Sequence, residues 1–565
     1  MGEQIEHIEA DETLTACAAC ERDDIGNSER FRLRFGDLAM NPENHIAIRV
    51  ANIGWHIFDG MRFKEDEDDR AIRPLAHKVA RAIHDEVQFA QPTETEKVIL
   101  ETGEVGASML ADLGSWDSKW DEEKKETYQT SNQQVKTAKE VQASLKARRS
   151  AIKKFARTSA GSGRVNAMLQ EAGPYVSVSV DDLNDDRYTF NCASGLGRFE
   201  RLEHAETDAG ERSWRIVMRP HSPKELVTKC IPFELDLSEP FDAEKDCPQF
   251  KKFFEHAQPK EEMRAFIQRF MGLCLTGLIR EQCFLFFIGP GRNGKSTFVE
   301  LMSYILADYC VTLSIESFSG DSRRSGAEAT PDLARLPGAR FVAASEGEDG
   351  VALKEGMVKT ITGGESISVR RLHKEFVEFI PQFKLLLSGN HAPIIKNNDE
   401  GIWRRFHLVP WQVQLTRKQV DLELPEKLKT EAKGVFRWMV EGALDYFEHG
   451  LEPPQDVLAA TEEHRQDMDT IGSFIRSACI VTGYDDDVAA PQTIYEAFCI
   501  WCKKESGYQL SASVFNRRFA KESQRTFTDD EGIARQFRKA KQGSTIYRGI
   551  KIKKDFKPQE PFHGG

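Results

Sequence analysis

One contiguous run near the middle of the chain constrains the fold more than anything else in it. Cys283-Phe-Leu-Phe-Phe-Ile288 is an unbroken apolar stretch of strand length. It leads directly into Gly289-Pro290-Gly291-Arg292-Asn293-Gly294-Lys295-Ser296, and Thr297 then opens the helix-like TFVELMSYIL. Strand, glycine-rich turn and helix in that order predict a phosphate-binding loop (Walker A) on a parallel α/β sheet. Glycines let backbone N–H groups come close to phosphate oxygens, and the helix N-terminus adds partial positive charge beneath them. Residues 289–297 are therefore expected to hold ATP. Lys295 would reach the β- and γ-phosphates, and the Ser296 hydroxyl would hold Mg²⁺.

At 565 residues the chain is too long for one hydrophobic core, and several domains are expected. With 40% apolar and 30% charged residues it has the balance of a folded globular protein. No stretch approaches the roughly 20 apolar residues that span a bilayer, and the acidic N-terminus has no signal-peptide pattern, so no membrane partner and a cytoplasmic location are expected. The eleven cysteines are scattered, which argues for reduced thiols. Cys17/Cys20 and Cys499/Cys502 have metal-like spacing, but Cys499 and Cys502 lie within an apolar helical stripe with Tyr495, Phe498 and Trp501, for which core packing is the better reading. A net charge of −13 disfavours nucleic acid as a partner, yet Arg517–Lys554 carries twelve basic residues against four acidic ones, a local DNA-facing patch.

Composition and periodicity divide the chain into a polar tail (1–22), an α+β domain (23–244), an α/β domain (245–450), a linker marked by Pro453-Pro454 (451–469) and a C-terminal unit (470–558). Within the second, Trp55–Gly60 carries a hairpin signal, and 121–158, free of Gly and Pro, predicts a long solvated helix ending in Lys146, Arg148, Arg149, Lys153 and Lys154. The last unit reads as amphipathic helices followed by a basic strand pair (STIYRGIKIKK), the pattern of a winged helix.

Two further strands would complete a hydrolytic site. Arg340-Phe-Val-Ala-Ala-Ser-Glu346 ends in a carboxylate that could orient the attacking water and share the metal shell, with Glu348 and Asp349 as alternatives. Phe383-Lys-Leu-Leu-Leu-Ser-Gly-Asn390 ends in an amide that could hold that water. Trp403-Arg404-Arg405 offers an arginine finger for phosphoryl-transfer charge. Between them, Ile367-Ser-Val-Arg370-Arg371-Leu-His373-Lys374 concentrates four basic groups in one short loop, suited to sliding along phosphates.

Taken in order, GPGRNGKST, ARFVAASEGEDG, VKTITGGESISVRRLHKEF, FKLLLSGNHAP and GIWRRFHLVP resemble the superfamily III helicase domain of phage and plasmid primase–helicases, over about 245–415. The blocks DDIGNSERF, WHIFDGMRF and CPQF resemble the domain preceding it, related to the poxvirus replicative nucleoside triphosphatase. The resemblance implies an AAA+-like P-loop motor with an α+β N-terminal domain and a C-terminal winged helix. It implies a homo-hexamer hydrolysing ATP on single-stranded or forked DNA in a phage or plasmid replication system, in the host cytoplasm, beside a separate primase or initiator. Carried onto this sequence, Lys295 and Ser296 bind nucleotide and metal, Glu346 is the Walker B acid, Asn390 is sensor 1, and Arg405 or Arg404 is the finger. Arg370, Arg371, His373 and Lys374 form the DNA-gripping hairpin. Ser345 stands where many P-loop enzymes have a metal-binding Asp, and no priming domain is expected before residue 23. The alternative is an ATP-switched initiator that binds DNA without processive unwinding.

Overall fold

The computed structural model describes residues 12–36, 46–202, 213–320, 332–345, 352–371, 375–395, 400–416, 419–505, 509–528 and 533–558. Five short apolar runs form the central sheet: β1 (Phe284–Ile288), β2 (Cys310–Ser314), β3 (Phe341–Ser345), β4 (Lys384–Gly389) and β5 (Phe406–Pro410). All pairings are parallel and the order is β5-β1-β4-β3-β2. Because strand side chains alternate, each strand feeds two cores. Leu285, Phe287, Ala343, Leu386 and Val409 face one apolar cluster with the helices Pro248–Ala257, Glu261–Leu273 and Ala432–His449. Phe284, Phe286, Val342, Ala344, Leu385, Leu387 and Leu408 face the other.

At the amino ends of the strands two cations are fully buried. Arg340 donates to the Leu275 carbonyl and stacks over the Tyr309 ring at 4.7 Å. Lys384 donates to the carbonyls of Thr276, Leu278 and Gln382, and burial pulls its ammonium down to about 7. These contacts tie the start of the sheet to the helix and turn before it, leaving the carboxyl ends open for a site.

The N-terminal unit has a four-stranded sheet, in the order Phe63–Glu65, Gly54–Phe58, Ala47–Val50 and Ser177–Val178. Two long antiparallel helices, Glu94–Leu113 and Glu122–Ser159, extend from it. The first starts at a reciprocal capping box between Thr93 and Glu96, and the second at the Asp121 cap. The long helix expected over 121–158 is thus found, though Arg148 is not purely solvated: it holds Glu96 of the neighbouring helix at 2.6 Å. A three-stranded antiparallel sheet, Thr189–Cys192, Gly195–Arg201 and Trp214–Arg219, leads toward the central domain.

Two boundaries are corrected. Residues 12–19, read as part of a polar tail, are helical, and Cys17 is fully buried, while Arg30 donates to the carbonyls of Cys20 and Glu21. The linker expected at 451–469 contains the helix Gln455–Met468, lying on edge strand β5, where the Leu408 N–H donates to Thr461 Oγ1 at 3.0 Å. Pro454 ends the preceding segment but is compatible with an N-cap, so it starts this helix rather than a loop, and the helix covers an open sheet edge.

The C-terminal unit has three helices, Thr470–Ala478, Pro491–Glu505 and Ala512–Glu522, and a sheet in which Arg538–Gln542 pairs with Ser544–Arg548. Cys502 is buried in its core with Phe498 and Trp501. Among the described residues no helix is long and apolar enough to cross a membrane.

Candidate nucleotide-binding site

The register of the sheet brings the candidate groups to one edge. Ile288 lies opposite Gly389 on one side and Pro410 on the other, and Ser345 lies opposite Ser388. The loop after β1 and Asn390 after β4 therefore leave the sheet at the carboxyl edge where β3 also ends, at which the strand order reverses between β1 and β4. Ligands of open α/β sheets bind at such a switch point.

Loop 289–294 is held from below by groups that the motif itself does not announce. Asn293 is buried, donates to the Trp411 carbonyl at 3.0 Å and accepts the Lys295 N–H at 3.2 Å. Trp411 N–H donates to Ile288 O, and Leu415 N–H to Arg292 O, so the segment after β5 straps the loop. Gly289 and Gly294 have φ of +156° and +84°, and a Cβ at Gly294 would stand 2.9 Å from the Phe253 ring. Only glycine meets both demands without strain.

Lys295 starts the helix Lys295–Leu306, and its ammonium donates to the Gly289 carbonyl, so the side chain folds over the loop. Ser296 and Arg292 are exposed, and Thr297 is half-buried. A Cβ at Gly291 would meet nothing within 4 Å, so the rim formed by Pro290 and Gly291 is open. An exposed hydroxyl and a lysine in the first helical turn, beside N–H groups that have no intrahelical acceptor, fit a nucleotide phosphate chain with its divalent cation. When bound, the cation would neutralise charge on that chain; Ser296 is the described residue placed to hold it.

Asn390 is exposed one residue beyond β4, as a water-orienting amide must be. Glu346, Glu348 and Asp349 lie outside the described residues, as do His373 and Lys374 of the hairpin. Ser345 ends β3 exposed. The two arginines differ sharply. Arg405 is 8% exposed and donates to Gly401 O at 2.7 Å and Gln282 Oε1 at 3.2 Å, whereas Arg404 is exposed. Both precede β5, at the opposite edge of the sheet from the loop. A five-residue strand separates the two edges by about 16 Å, too far for either to reach its own loop.

Ile367–Arg370 pairs antiparallel with Phe376–Phe379, Arg370 opposite Phe376. The cations of this hairpin are not all available. Arg370 lies over the Phe376 ring at 5.2 Å, and Arg371 forms a two-pronged ion pair with Glu65, one contact at 2.9 Å. Arg371 thus ties the hairpin to the N-terminal sheet. In the C-terminal unit Asp485 pairs with Arg538 and Asp487 with Lys551.

The Asn293 contacts give a direct expectation. Asn293→Ala removes two buried hydrogen bonds, each worth about 1 kcal/mol, and should weaken ATP binding about tenfold by calorimetry. An unchanged dissociation constant would mean that the strap from β5 does not order the loop.

Two family models match parts of the chain. The family described as D5 N terminal like matches residues 28–259, and a family of unknown function (DUF5906) matches residues 287–405. The chain is 30% identical over 279 residues to "Putative helicase L207/L206" of Acanthamoeba polyphaga mimivirus, covering 46% of this chain and 28% of that protein. It is 25% identical over 272 residues to "Putative helicase 022R" of Frog virus 3, covering 45% and 28%. It is 19% identical over 282 residues to "Putative primase C962R" of African swine fever virus (strain Badajoz 1971 Vero-adapted), covering 46% and 29%. The chain thus spans less than a third of these relatives' length. The apo structure of the NrS-1 C terminal region overlaps 62% of this chain and 84% of that one, with 13% identity and a TM-score of 0.36. Residues 28–259 thus match the D5 N terminal like family, and part of the chain is similar to viral proteins named as putative helicases and primases.

Proposed function

We propose that the chain is an ATP-hydrolysing DNA helicase motor of superfamily III type, working as a homo-hexameric ring on single-stranded and forked DNA in a replication system. The observation that carries this reading is the sheet order β5-β1-β4-β3-β2, with the glycine-rich loop after β1 and residues 346 and 390 directly after β3 and β4. That arrangement is AAA+-like. Lys295 and Ser296 would bind the phosphates and Mg²⁺, Glu346 would activate water, and Asn390 would hold it. An arginine that cannot reach its own loop acts on a neighbour's, which makes exposed Arg404 the better finger and Arg405 its buried support.

DNA would be held in two places. His373 and Lys374 follow the anchored Arg371 in the sequence and would track the backbone in the channel. The C-terminal unit would act as a winged helix, with Arg517 and Lys521 exposed on the helix Ala512–Glu522 and Lys539 and Lys541 on the strand of its wing. Replacing those four residues with alanine should weaken DNA binding at every sequence tested and flatten the salt dependence by about three to four in slope. An unchanged slope would remove this surface from the DNA path.

ATP turnover with and without single-stranded DNA, read beside the particle mass, tests the proposal as a whole. Turnover stimulated by DNA in a particle of six chains is expected. A monomer with full activity indifferent to DNA would refute it.

A further inference from the structure

The helix Glu122–Ser159 carries its charge in two unlike halves. Residues 122–140 hold four acidic and four basic side chains, whereas residues 141–159 hold six basic ones and no acidic one. In a chain of net charge −13 the second half is a local concentration of the opposite sign.

Packing decides where those cations point. Leu145, Ile152, Phe155, Ala156 and Ser159 are buried, and Ile152, Phe155 and Ala156 pack on Ile83, just after the helix Ile72–Ala82. With 3.6 residues per turn, Lys146, Arg149, Lys153 and Arg157 then fall in one stripe beside the buried face, about 80° wide and about 16 Å long. All four are exposed. The nearby acids are largely engaged by other cations, Glu96 by Arg148, Glu94 by Lys97 and Glu86 by Arg30, and Asp85 is exposed on the adjoining segment. Lys146, Lys153 and Arg157 make no ion pair or side-chain hydrogen bond among the described residues, and Arg149 donates to the neutral carbonyl of Ala90 at 3.2 Å.

Such a row works against the helix that bears it. Arg149 with Lys153 and Lys153 with Arg157 are like-charge neighbours four residues apart, each of which destabilises a helix. The negative helix end offsets charge in its last turn only, which includes Arg157 but neither Lys146 nor Arg149. A line of anions outside the chain removes the repulsion along the whole row. The row is straight, lies on a rigid helix and contains no aromatic ring on which an unpaired base could stack, so it suits the phosphates of a duplex rather than a single strand.

We propose that this row is a docking surface for double-stranded DNA, with Lys146, Arg149, Lys153 and Arg157 following the phosphate backbone without regard to sequence. It uses neither the glycine-rich loop nor the hairpin, so it does not rest on the motor reading. If the chain is a helicase, the row holds the paired arm of the fork.

The test is the affinity of the full chain for a short DNA duplex, without nucleotide, over a range of salt. Changing Lys146, Lys153 and Arg157 together to Gln should weaken binding about tenfold or more and lower the log–log salt slope by about two to three, since each phosphate contact contributes about 0.9. Changing Lys124, Lys136 and Lys139 to Gln makes the same charge change in the balanced half of the same helix and should keep the wild-type slope. Arg517, Lys521, Lys539 and Lys541 are untouched in both, so the C-terminal surface contributes equally throughout. The row variant should melt no lower than wild type, because it removes both like-charge contacts. Should it fail to fold, Lys153→Gln alone, with a slope lower by about one, takes its place. No duplex binding by wild type, an unchanged slope in the row variant, or equal losses in both triple variants overturns the proposal. So does a larger loss for an oligothymidylate than for the duplex, or lost binding to phosphatidylserine vesicles with duplex affinity intact, which would make the partner a membrane surface.

Discussion

Lys295→Ala should reduce ATP turnover by about a thousandfold or more, to the background of the assay, while the protein keeps its fold. The lysine lies in the first turn of the helix Lys295–Leu306 with its ammonium on the Gly289 carbonyl, so its removal takes away a hydrogen bond within the loop. The cost to stability should be about 1 kcal/mol. The cost to chemistry is far larger, because the ammonium is the only cation that the described loop offers beside exposed Arg292 to meet charge on the β- and γ-phosphates. Rates from a coupled assay and a thermal melt of the same preparation separate the two. Retention of a tenth or more of the wild-type turnover would place the reaction elsewhere.

Arg404→Ala and Arg405→Ala should fail in different ways. Arg404 is exposed and about 16 Å from its own loop by strand length, so its loss should spare ATP binding and cut hydrolysis by about 10³-fold, the lower end for an arginine finger. Added to wild-type chains before assembly, it should depress activity more steeply than dilution, because each altered chain spoils a neighbour's site in a closed ring. Arg405 is buried against Gly401 and Gln282, and its replacement should instead lower the melting temperature, with a loss of about 2–3 kcal/mol. A strictly proportional decline in the mixing experiment, or full hydrolysis by Arg404→Ala, would contradict a shared site.

The parts of the fold legible in the sequence are those whose cause is local. The glycine-rich loop is one contiguous run, and the helix Glu122–Ser159 has a cap at Asp121 and no Gly or Pro to break it. The strands ending at Ser345 and Gly389 were equally readable, because a strand buried on both faces is a continuous apolar run. What escaped depends on partners far along the chain. Nothing in the sequence around Asn293 marks Trp411, more than a hundred residues on, as its acceptor, or Phe253 as the floor beneath Gly294. Arg371 reads as a free basic residue until Glu65, 306 positions away, is brought beside it. The helix Gln455–Met468 buries little apolar surface and docks partly through Thr461 and His464, so its composition is that of a linker. Of the candidate site, the glycine-rich run was legible and the groups that support it were not. The choice between Arg404 and Arg405 could not be made from two identical side chains in a row, and burial separates them.

Strand separation on a forked DNA, followed together with ATP consumption, tests the central claim most directly. The account predicts that wild-type protein unwinds the fork only while ATP is hydrolysed, and that Lys295→Ala gives neither. DNA-stimulated hydrolysis with the fork left intact would contradict it and leave an ATP-switched initiator as the reading that fits.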